Sequence, residues 1–251
     1  MASRKLHVID THAEGMPMRV LMDGAPPIPG ETMVDRLEWA KANLDDIRQL
    51  VVNEPRGHAA MVAAILTPPA RADADHGVVY MSGGGWWGMC GHGTIGVITL
   101  LVEREMVKVT EPYTEVRLDT PAGLIVGKVR VEGKKALNVT FTNVPSFAIA
   151  QNVGIEVPGV GPLTVDVSYG GNMFAIVDMA QLGRKLDLAD LEELTNLGLA
   201  IVRATREQVP LSLPWSPSLG QVKSMLFIEE ETADQPAKNL MVKERRYFDR
   251  S

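Results

Sequence analysis

The sequence predicts an α+β protein with two strand-rich lobes, each containing one prominent helix. Three observations support this prediction: strand-like alternation near the N-terminus, apolar residues at helical spacing over residues 34–50, and several strand-like runs separated by turns after Pro112. The chain has 251 residues, of which 45% are hydrophobic and 22% charged, so it can bury substantial cores in two small domains. Segregated strands and helices of this kind are typical of α+β folds.

The N-terminal segment begins with strands and then changes to a helix. Residues 5–9 and 18–22 alternate as strands do, and residues 14–17 form the turn between them. Thr32, followed by Asp35 three residues later, resembles a capping box and predicts the start of a helix. The apolar face of that helix consists of residues at helical spacing: Val34, Leu37, Ala40, Leu44, Ile47 and Leu50.

The rest of the chain divides near residues 112–121. Before this boundary lie a short strand at 77–81, a glycine-rich run at 83–96 and a buried or amphipathic helix after Thr94. After it the sequence predicts strands at 116–118, 124–131, 137–144, 163–169, 224–228 and 239–242, and a helix at 187–208. The predicted lobes are therefore residues 1–118 and 119–251.

The composition argues against several classes of protein. The formal net charge is −6 with mixed signs, which disfavours a nucleic-acid or anionic-membrane surface. No apolar run reaches the roughly 20 residues that span a bilayer, and the N-terminus lacks the apolar stretch of a signal peptide. A single cysteine allows neither an intramolecular disulfide nor a four-cysteine zinc site, and the five histidines show no metal-ligand spacing. We expect a cytoplasmic protein without a metal.

Cys90 is the residue most strongly suggested to carry chemistry. It lies in a glycine-rich turn that opens a helix, where the positive end of the helix dipole stabilises a thiolate and binds a carboxylate. The surrounding glycines allow close approach of a ligand to the backbone, and His92 lies two residues further on. The pattern therefore indicates a thiol base beside a carboxylate site.

Other interpretations of this segment stay open. A single cysteine is usually a small buried hydrophobic residue. Residues 91–96 match the bare glycine pattern of dinucleotide-binding proteins, although the preceding strand ends too early and no acidic residue ends a second strand. A cysteine hydrolase using Cys90 and His92 is disfavoured, because a nucleophile and its base usually come from separate elements.

Further polar and aromatic residues are weaker candidates. We expect structural hydrogen bonds from His12, Glu14, Arg56 and His58, which lie in turns of the first lobe. The adjacent Trp86–Trp87 pair either lines a pocket or anchors a loop to the core.

Residues 89–96, with the sequence MCGHGTIG, resemble the first catalytic-cysteine motif of the proline racemase superfamily. Supporting segments occur in the family's order along nearly the whole chain: 9–15, 54–58, 119–123, 143–147, 170–172, 174–176 and 249–251. The resemblance implies two pseudo-symmetric lobes of the diaminopimelate epimerase-like fold, with the site in the cleft between them. It also implies a homodimer as one possible assembly.

The resemblance further implies a mechanism without a cofactor that acts on a small molecule, proline or a hydroxyproline. One cysteine removes the α-proton and a second delivers a proton to the opposite face, as inversion requires. Cys90 would be one of these groups, the N–H groups of Gly91 and His92 would bind the substrate carboxylate, and Asp249 would contact the ring nitrogen.

The sequence departs from the family after Asp249. In the family, the Asp-Arg-Ser segment precedes a proline, the second cysteine and a second anion site, whereas this sequence ends at Ser251. We therefore expect a truncated second lobe and an inactive isolated chain. Proline racemase is the favoured activity, since no histidine lies at 223–225 where some hydroxyproline epimerases have one. A trans-3-hydroxy-L-proline dehydratase and a non-catalytic truncated relative are the alternatives.

Overall fold

The chain forms two compact units. The computed structural model describes residues 4–216, 219–232, 236–243 and 247–249. The units are Met1–Val144 and Pro145–Ser251, and each combines a sheet with helices. The predicted α+β class is therefore confirmed. Arg250 and Ser251, the last residues of the predicted second lobe, lie outside the described residues.

The first unit is built on one sheet of eight strands. These are β1 (His7–Ala13), β2 (Met16–Asp23), β3 (Val62–Thr67), β4 (His76–Ser82), β5 (Gly85–Trp87), β6 (Tyr113–Thr120), β7 (Gly123–Glu132) and β8 (Lys135–Thr142). The strand order is β1-β2-β3-β4-β6-β7-β8, with β5 paired to β4. The β2–β3 and β4–β6 pairs are parallel, and the other pairs are antiparallel.

Helices cover both faces of this sheet. They are α1 (Met33–Asn43), α2 (Asp45–Val52) and α3 (Gly91–Glu103). On β4, Gly77 faces Met33 of α1, whereas Tyr80 faces Thr94 of α3. Because successive side chains of a strand point to opposite faces, α1 and α3 lie on opposite sides of the sheet.

The central helix α3 is enclosed by the curved sheet. It packs against β1 and β2 at one end of the strand order and against β8 at the other end. Its buried residues cover most of the circumference of the helix: Gly93, Thr94, Gly96, Val97, Ile98, Leu100, Leu101 and Val102. Such a wide apolar surface is typical of a helix that lies in a protein core.

The boundary between the units differs from the predicted one. The prediction ended the first lobe at residue 118, but β6 runs through this point and β7 and β8 continue the same sheet. The division falls at Val144 and Pro145 because the ladder hydrogen bonds of β6, β7 and β8 tie residues 113–142 to the first unit.

The first helical segment starts as predicted but is divided in two. The Thr32 hydroxyl accepts a hydrogen bond from the Asp35 N–H at 3.1 Å, and an Asp35 carboxylate oxygen accepts one from the Thr32 N–H at 2.9 Å. The capping box is therefore confirmed. At Leu44 the backbone leaves the helical region, with φ −122° and ψ 17°, so α1 ends and α2 begins while Leu44 itself stays buried.

The second unit contains a six-stranded sheet and one long helix. The strands are β9 (Phe147–Val157), β10 (Gly161–Tyr169), β11 (Met173–Asp178), β12 (Val222–Glu229), β13 (Lys238–Lys243) and β14 (Tyr247–Asp249), in the order β14-β13-β12-β11-β10-β9. Helix α4 (Leu191–Gln208) links the parallel pair β11 and β12 and packs on the sheet. Two short 3₁₀ helices, Met179–Leu182 and Leu188–Asp190, precede α4.

A buried arginine connects α2 to the loop that leads toward Cys90. Arg48 is 5% exposed and donates hydrogen bonds to Asp45 at 2.6 and 3.1 Å, and to the Ser82 and Gly83 carbonyls at 2.9 and 3.2 Å. Asp45 also accepts a hydrogen bond from Trp86 Nε1 at 3.4 Å. The ion pair thereby holds the turn between β4 and β5 against α2.

The close approach of α3 to β1 and β2 predicts that Gly96 tolerates no side chain. In Gly96→Ala, the new Cβ would lie 2.5 Å from Thr11 Oγ1 and 3.1 Å from Met18 Cγ. We expect a net loss of about 1–2 kcal/mol in the free energy of unfolding, since overpacking outweighs the gain in helix propensity. Urea unfolding monitored by circular dichroism measures this loss.

Gly91 of the same helix provides the matched control. A Cβ at Gly91 would meet only Phe141 Cζ, at an ordinary contact distance of 3.8 Å. Gly91→Ala should therefore be at least as stable as the wild type. Equal stabilities for the Gly96→Ala and wild-type chains would contradict the prediction.

The Asp45–Arg48 pair predicts a pH-dependent contribution to stability. The hydrogen bond from Arg48 lowers the pKa of Asp45 to about 2, below the ordinary value of about 3.9. A lowered folded-state pKa stabilises the fold above about pH 4, and this contribution disappears as the pH falls toward 2. The Asp45 side chain is 43% exposed, so solvent screening limits the contribution to about 1 kcal/mol.

We therefore expect Asp45→Asn to lower the free energy of unfolding at neutral pH but not near pH 2. Denaturant unfolding at a series of pH values measures the difference from the wild type. Asp46→Asn is the adjacent control, because Asp46 forms an exposed pair with Arg4 and such pairs contribute little. A destabilisation by Asp45→Asn that is the same at every pH would refute the assignment.

Candidate active site

Cys90 lies at the N-terminus of the buried helix α3. It is the N-cap residue, with an extended backbone of φ −145° and ψ 119°, and its side chain is partly exposed. Gly91 and His92 are the first two residues of the helix. The N–H groups of a first helical turn point outward along the axis and carry the positive end of the helix dipole. The three residues therefore combine a thiol with a site suited to an anion.

Two further contacts define the surroundings of the thiol. Cys90 Sγ lies 3.8 Å from His92 Nδ1, so the imidazole is beside the sulfur. A Cβ built on Gly93 would lie 3.1 Å from Sγ, which is tighter than most real Cβ contacts. A side chain at position 93 would therefore crowd the thiol at the first turn of α3.

The two tryptophans before Cys90 anchor the loop. Trp86 and Trp87 are 4% and 6% exposed, and Trp87 Nε1 donates a hydrogen bond to Ser82 Oγ at 2.7 Å. With the hydrogen bond from Trp86 to Asp45, both indole N–H groups have partners near the β4–β5 turn. Of the two interpretations from the sequence, the structure therefore favours loop anchoring over a pocket wall.

The motif at residues 119–123 supports the same loop from another side. The Ala122 N–H donates to the Gly88 carbonyl at 3.3 Å, two residues before Cys90. Asp119, which is 3% exposed, accepts hydrogen bonds from the Ala70 and Arg71 N–H groups at 2.8 and 3.1 Å. This motif therefore has a structural role in holding the segment that precedes the thiol.

The two N-terminal motifs are connected by Arg19. Its guanidinium donates to both carboxylate oxygens of Asp10 at 2.8 Å and to the carbonyls of Arg56 and Val51 at 2.6 and 2.9 Å. His12 Nδ1 accepts a hydrogen bond from the Gly15 N–H at 3.3 Å. These contacts agree with the structural roles expected for the turns of the first unit.

The structure brings together three of the four predicted site residues. Cys90, Gly91 and His92 are contiguous at the start of α3. Asp249 belongs to β14 of the second unit, where it pairs with Met241 of β13, and its side chain is outside the described part of the structure.

Sequence reasoning did not identify the residues packed beneath the cysteine. The Tyr80 hydroxyl lies 2.8 Å from Thr94 Oγ1, and both side chains are completely buried. Tyr80 is 14 positions away from Thr94, and a tyrosine in an apolar strand carries no local signal of such a contact.

Neither a metal cluster nor a membrane-spanning helix occurs among the described residues. In that part of the chain, no group of three or more His, Cys, Asp or Glu side chains is placed to bind a metal ion. The helices described there are too short or too polar to cross a bilayer.

Comparison with known proteins identifies the family of the chain. The proline racemase family matches residues 8–251. A 4-hydroxyproline 2-epimerase of Streptosporangium roseum is 45% identical, over 99% of this chain and 74% of the relative. A proline racemase of Acetoanaerobium sticklandii is 38% identical over 99% of this chain and 75% of the relative.

Two further comparisons extend this result. A trans-3-hydroxy-L-proline dehydratase of Bacillus cereus is 34% identical over 97% of this chain and 73% of the relative. The crystal structure of a hydroxyproline epimerase from Agrobacterium vitis with bound trans-4-hydroxy-L-proline superposes with a TM-score of 0.92 at 28% identity, covering 99% of this chain and 72% of that one. The resemblance found in the sequence is thus confirmed, and the chain belongs to the proline racemase family of isomerases and related dehydratases.

Proposed function

We propose that the chain acts at the α-carbon of proline or a hydroxyproline, with Cys90 moving the α-proton on one face of the substrate. The observation that carries this proposal is the position of the thiol at the N-terminus of α3, beside Gly91 and His92. A helix N-terminus favours the thiolate, which is the form that accepts a proton. The relatives named as racemases and epimerases of these amino acids support the substrate class.

In the proposed site, the substrate carboxylate is bound by the N–H groups of Gly91 and His92. These donors also stabilise negative charge that develops when the α-proton leaves, because they are fixed before the reaction begins. Proton transfer to and from carbon then needs only acid–base groups and fixed donors, so we propose a mechanism without a cofactor. By its match to the family motif, Asp249 is proposed to contact the ring nitrogen.

The names of the relatives do not separate proline from hydroxyproline. A 4-hydroxyproline 2-epimerase is 45% identical and a proline racemase 38% identical to this chain. Both substrates should therefore be assayed. The absence of a histidine from residues 223–225 nevertheless favours proline over hydroxyproline as the substrate. The cytoplasmic location and the homodimer remain predictions.

The second candidate is dehydration of trans-3-hydroxy-L-proline, which is favoured by the 34% identity to a dehydratase. This reaction also begins with removal of the α-proton, so the role of Cys90 is the same. The two reactions differ afterwards, since loss of the hydroxyl replaces reprotonation. Loss of water, detected by mass spectrometry, distinguishes this reaction from inversion of configuration.

We predict that this polypeptide by itself does not invert proline or trans-4-hydroxy-L-proline. Inversion by two thiols needs a base and an acid on opposite faces of the α-carbon, and the sequence contains one cysteine. Chiral chromatography after prolonged incubation measures this, with Cys90→Ala as the control. Inversion by the wild-type chain that is absent in Cys90→Ala would overturn the prediction.

The rate at which Cys90 is alkylated can report whether an anion is bound at the start of α3. We predict that L-proline or trans-4-hydroxy-L-proline slows alkylation of Cys90 by iodoacetamide, whereas prolinamide does not, because the amide lacks the charge that the helix terminus attracts. Mass spectrometry of the alkylated chain follows the reaction. Equal protection by prolinamide and by the amino acids would contradict carboxylate binding at α3.

Replacing Gly91 by proline removes one donor while leaving the helix intact. Proline is favoured at the first helical position, and the extended backbone of Cys90 suits a residue before proline. We expect Gly91→Pro to raise the amino-acid concentration needed for protection about tenfold, since a hydrogen bond to a charged group is lost. Gly91→Ala keeps the N–H, so the amino-acid concentration that protects its Cys90 should equal that of the wild type. Equally weakened protection in both variants would mean that the added side chain blocks the ligand.

A further inference from the structure

A pair of buried hydroxyl groups lies directly beneath the start of α3. Tyr80 on β4 and Thr94 on α3 are both 0% exposed, and their hydroxyl oxygens are 2.8 Å apart. Burial of hydroxyls carries a desolvation cost that the shared hydrogen bond offsets only in part. A phenylalanine and a valine would fill nearly the same volume without that cost. Packing alone therefore does not explain the two hydroxyls.

The pair is connected to Cys90 in two ways. The Thr94 N–H donates a hydrogen bond to the Cys90 carbonyl at 2.8 Å. A Cβ built on Gly93 would lie 3.1 Å from both Cys90 Sγ and Tyr80 Cε1, so these two atoms approach the same point and are at most 6.2 Å apart. The tyrosine ring thus lies within this distance of the sulfur. Its hydroxyl is hydrogen-bonded to Thr94, whose N–H binds the Cys90 carbonyl.

The tyrosine stays protonated in this environment. Burial raises the pKa of Tyr80 above its ordinary value, the hydrogen bond with Thr94 opposes this shift, and the nearby charge of Cys90 raises the pKa further. Tyr80 therefore offers a fixed, neutral hydroxyl rather than an acid or base. Tyr80 can therefore contribute to the site only by holding neighbouring groups in position.

We propose that the Tyr80–Thr94 pair is a positioning device that fixes the first turn of α3 on β4 and thereby keeps the Cys90 sulfur at the positive end of the helix. This inference rests on the proposed role of Cys90 in proton transfer. Removing the pair leaves the apolar packing in place but releases the turn. The thiolate then loses part of its stabilisation by the helix terminus.

The test uses the whole chain and four variants: Tyr80→Phe, Thr94→Val, the double variant of both, and Thr94→Ser. Two quantities are measured for each, the rate of Cys90 alkylation by iodoacetamide between about pH 6 and pH 10 and the midpoint of urea unfolding. The single variants Tyr80→Phe and Thr94→Val report the cost of one unpaired hydroxyl. His92, which also faces the sulfur, is unchanged in all of them, so its titration is common to every profile.

We expect the double variant to unfold at nearly the wild-type midpoint, because both hydroxyls are removed together. Its alkylation at neutral pH should be slower by about threefold or more, with the rise of the rate moved to higher pH. Thr94→Ser keeps the hydroxyl and should retain the wild-type rate. Alkylation in guanidinium chloride, where all chains are unfolded, should be equal for every variant.

Two outcomes would overturn the inference. A wild-type rate and pH profile in the double variant would assign the pair to packing only. A loss in Thr94→Ser as large as in Thr94→Val would show that the rate depends on the shape of the side chain at position 94 and not on its hydroxyl, and this comparison holds even if the double variant does not fold. Failure of the proposed function would be recognised separately, as absence of protection by proline while the alkylation rates of these variants still differ.

Discussion

The burial of most of the surface of α3 is the constraint on which the first unit depends. The curved sheet encloses this helix, so its backbone must approach the strands at distances that allow only glycine at certain positions. Gly96 permits contact with Thr11 and Met18, and Gly93 leaves room for both the Cys90 sulfur and the Tyr80 ring. These glycines therefore serve the packing of the helix.

The enclosed helix also explains how the thiol is set apart from an ordinary buried cysteine. Cys90 caps the N-terminus of this mostly buried helix and is itself partly exposed. Three separate structures hold it there: the turn fixed by Arg48, the contact of Ala122 with Gly88, and the Tyr80–Thr94 pair. These contacts hold the first turn of α3 in one orientation, as the proposed site for developing negative charge requires.

Local sequence signals predicted most elements, and the misses have physical causes. The capping box at Thr32 and the helix end at 208 depend on residues within a few positions of each other, and both were found. The predicted start at 187 was four residues early, because Asp187 caps the 3₁₀ helix Leu188–Asp190 and α4 begins at Leu191. Strand β3 was missed because it is apolar on both faces, so it shows no alternation. The boundary at 118 was misplaced because strand pairing, which ties β6, β7 and β8 to the first sheet, leaves no signal in the sequence.

The sequence by itself determined the family, the α+β class and the position of Cys90 at a helix start, because these follow from contiguous residues and short-range periodicity. Only the tertiary structure decided which distant residues support the thiol. Tyr80 and Thr94 are 14 positions apart, and Trp86 and Asp45 are 41 positions apart. Such contacts depend on strand register and on the placement of helices over the sheet, which arise when the whole chain packs and not from any local segment.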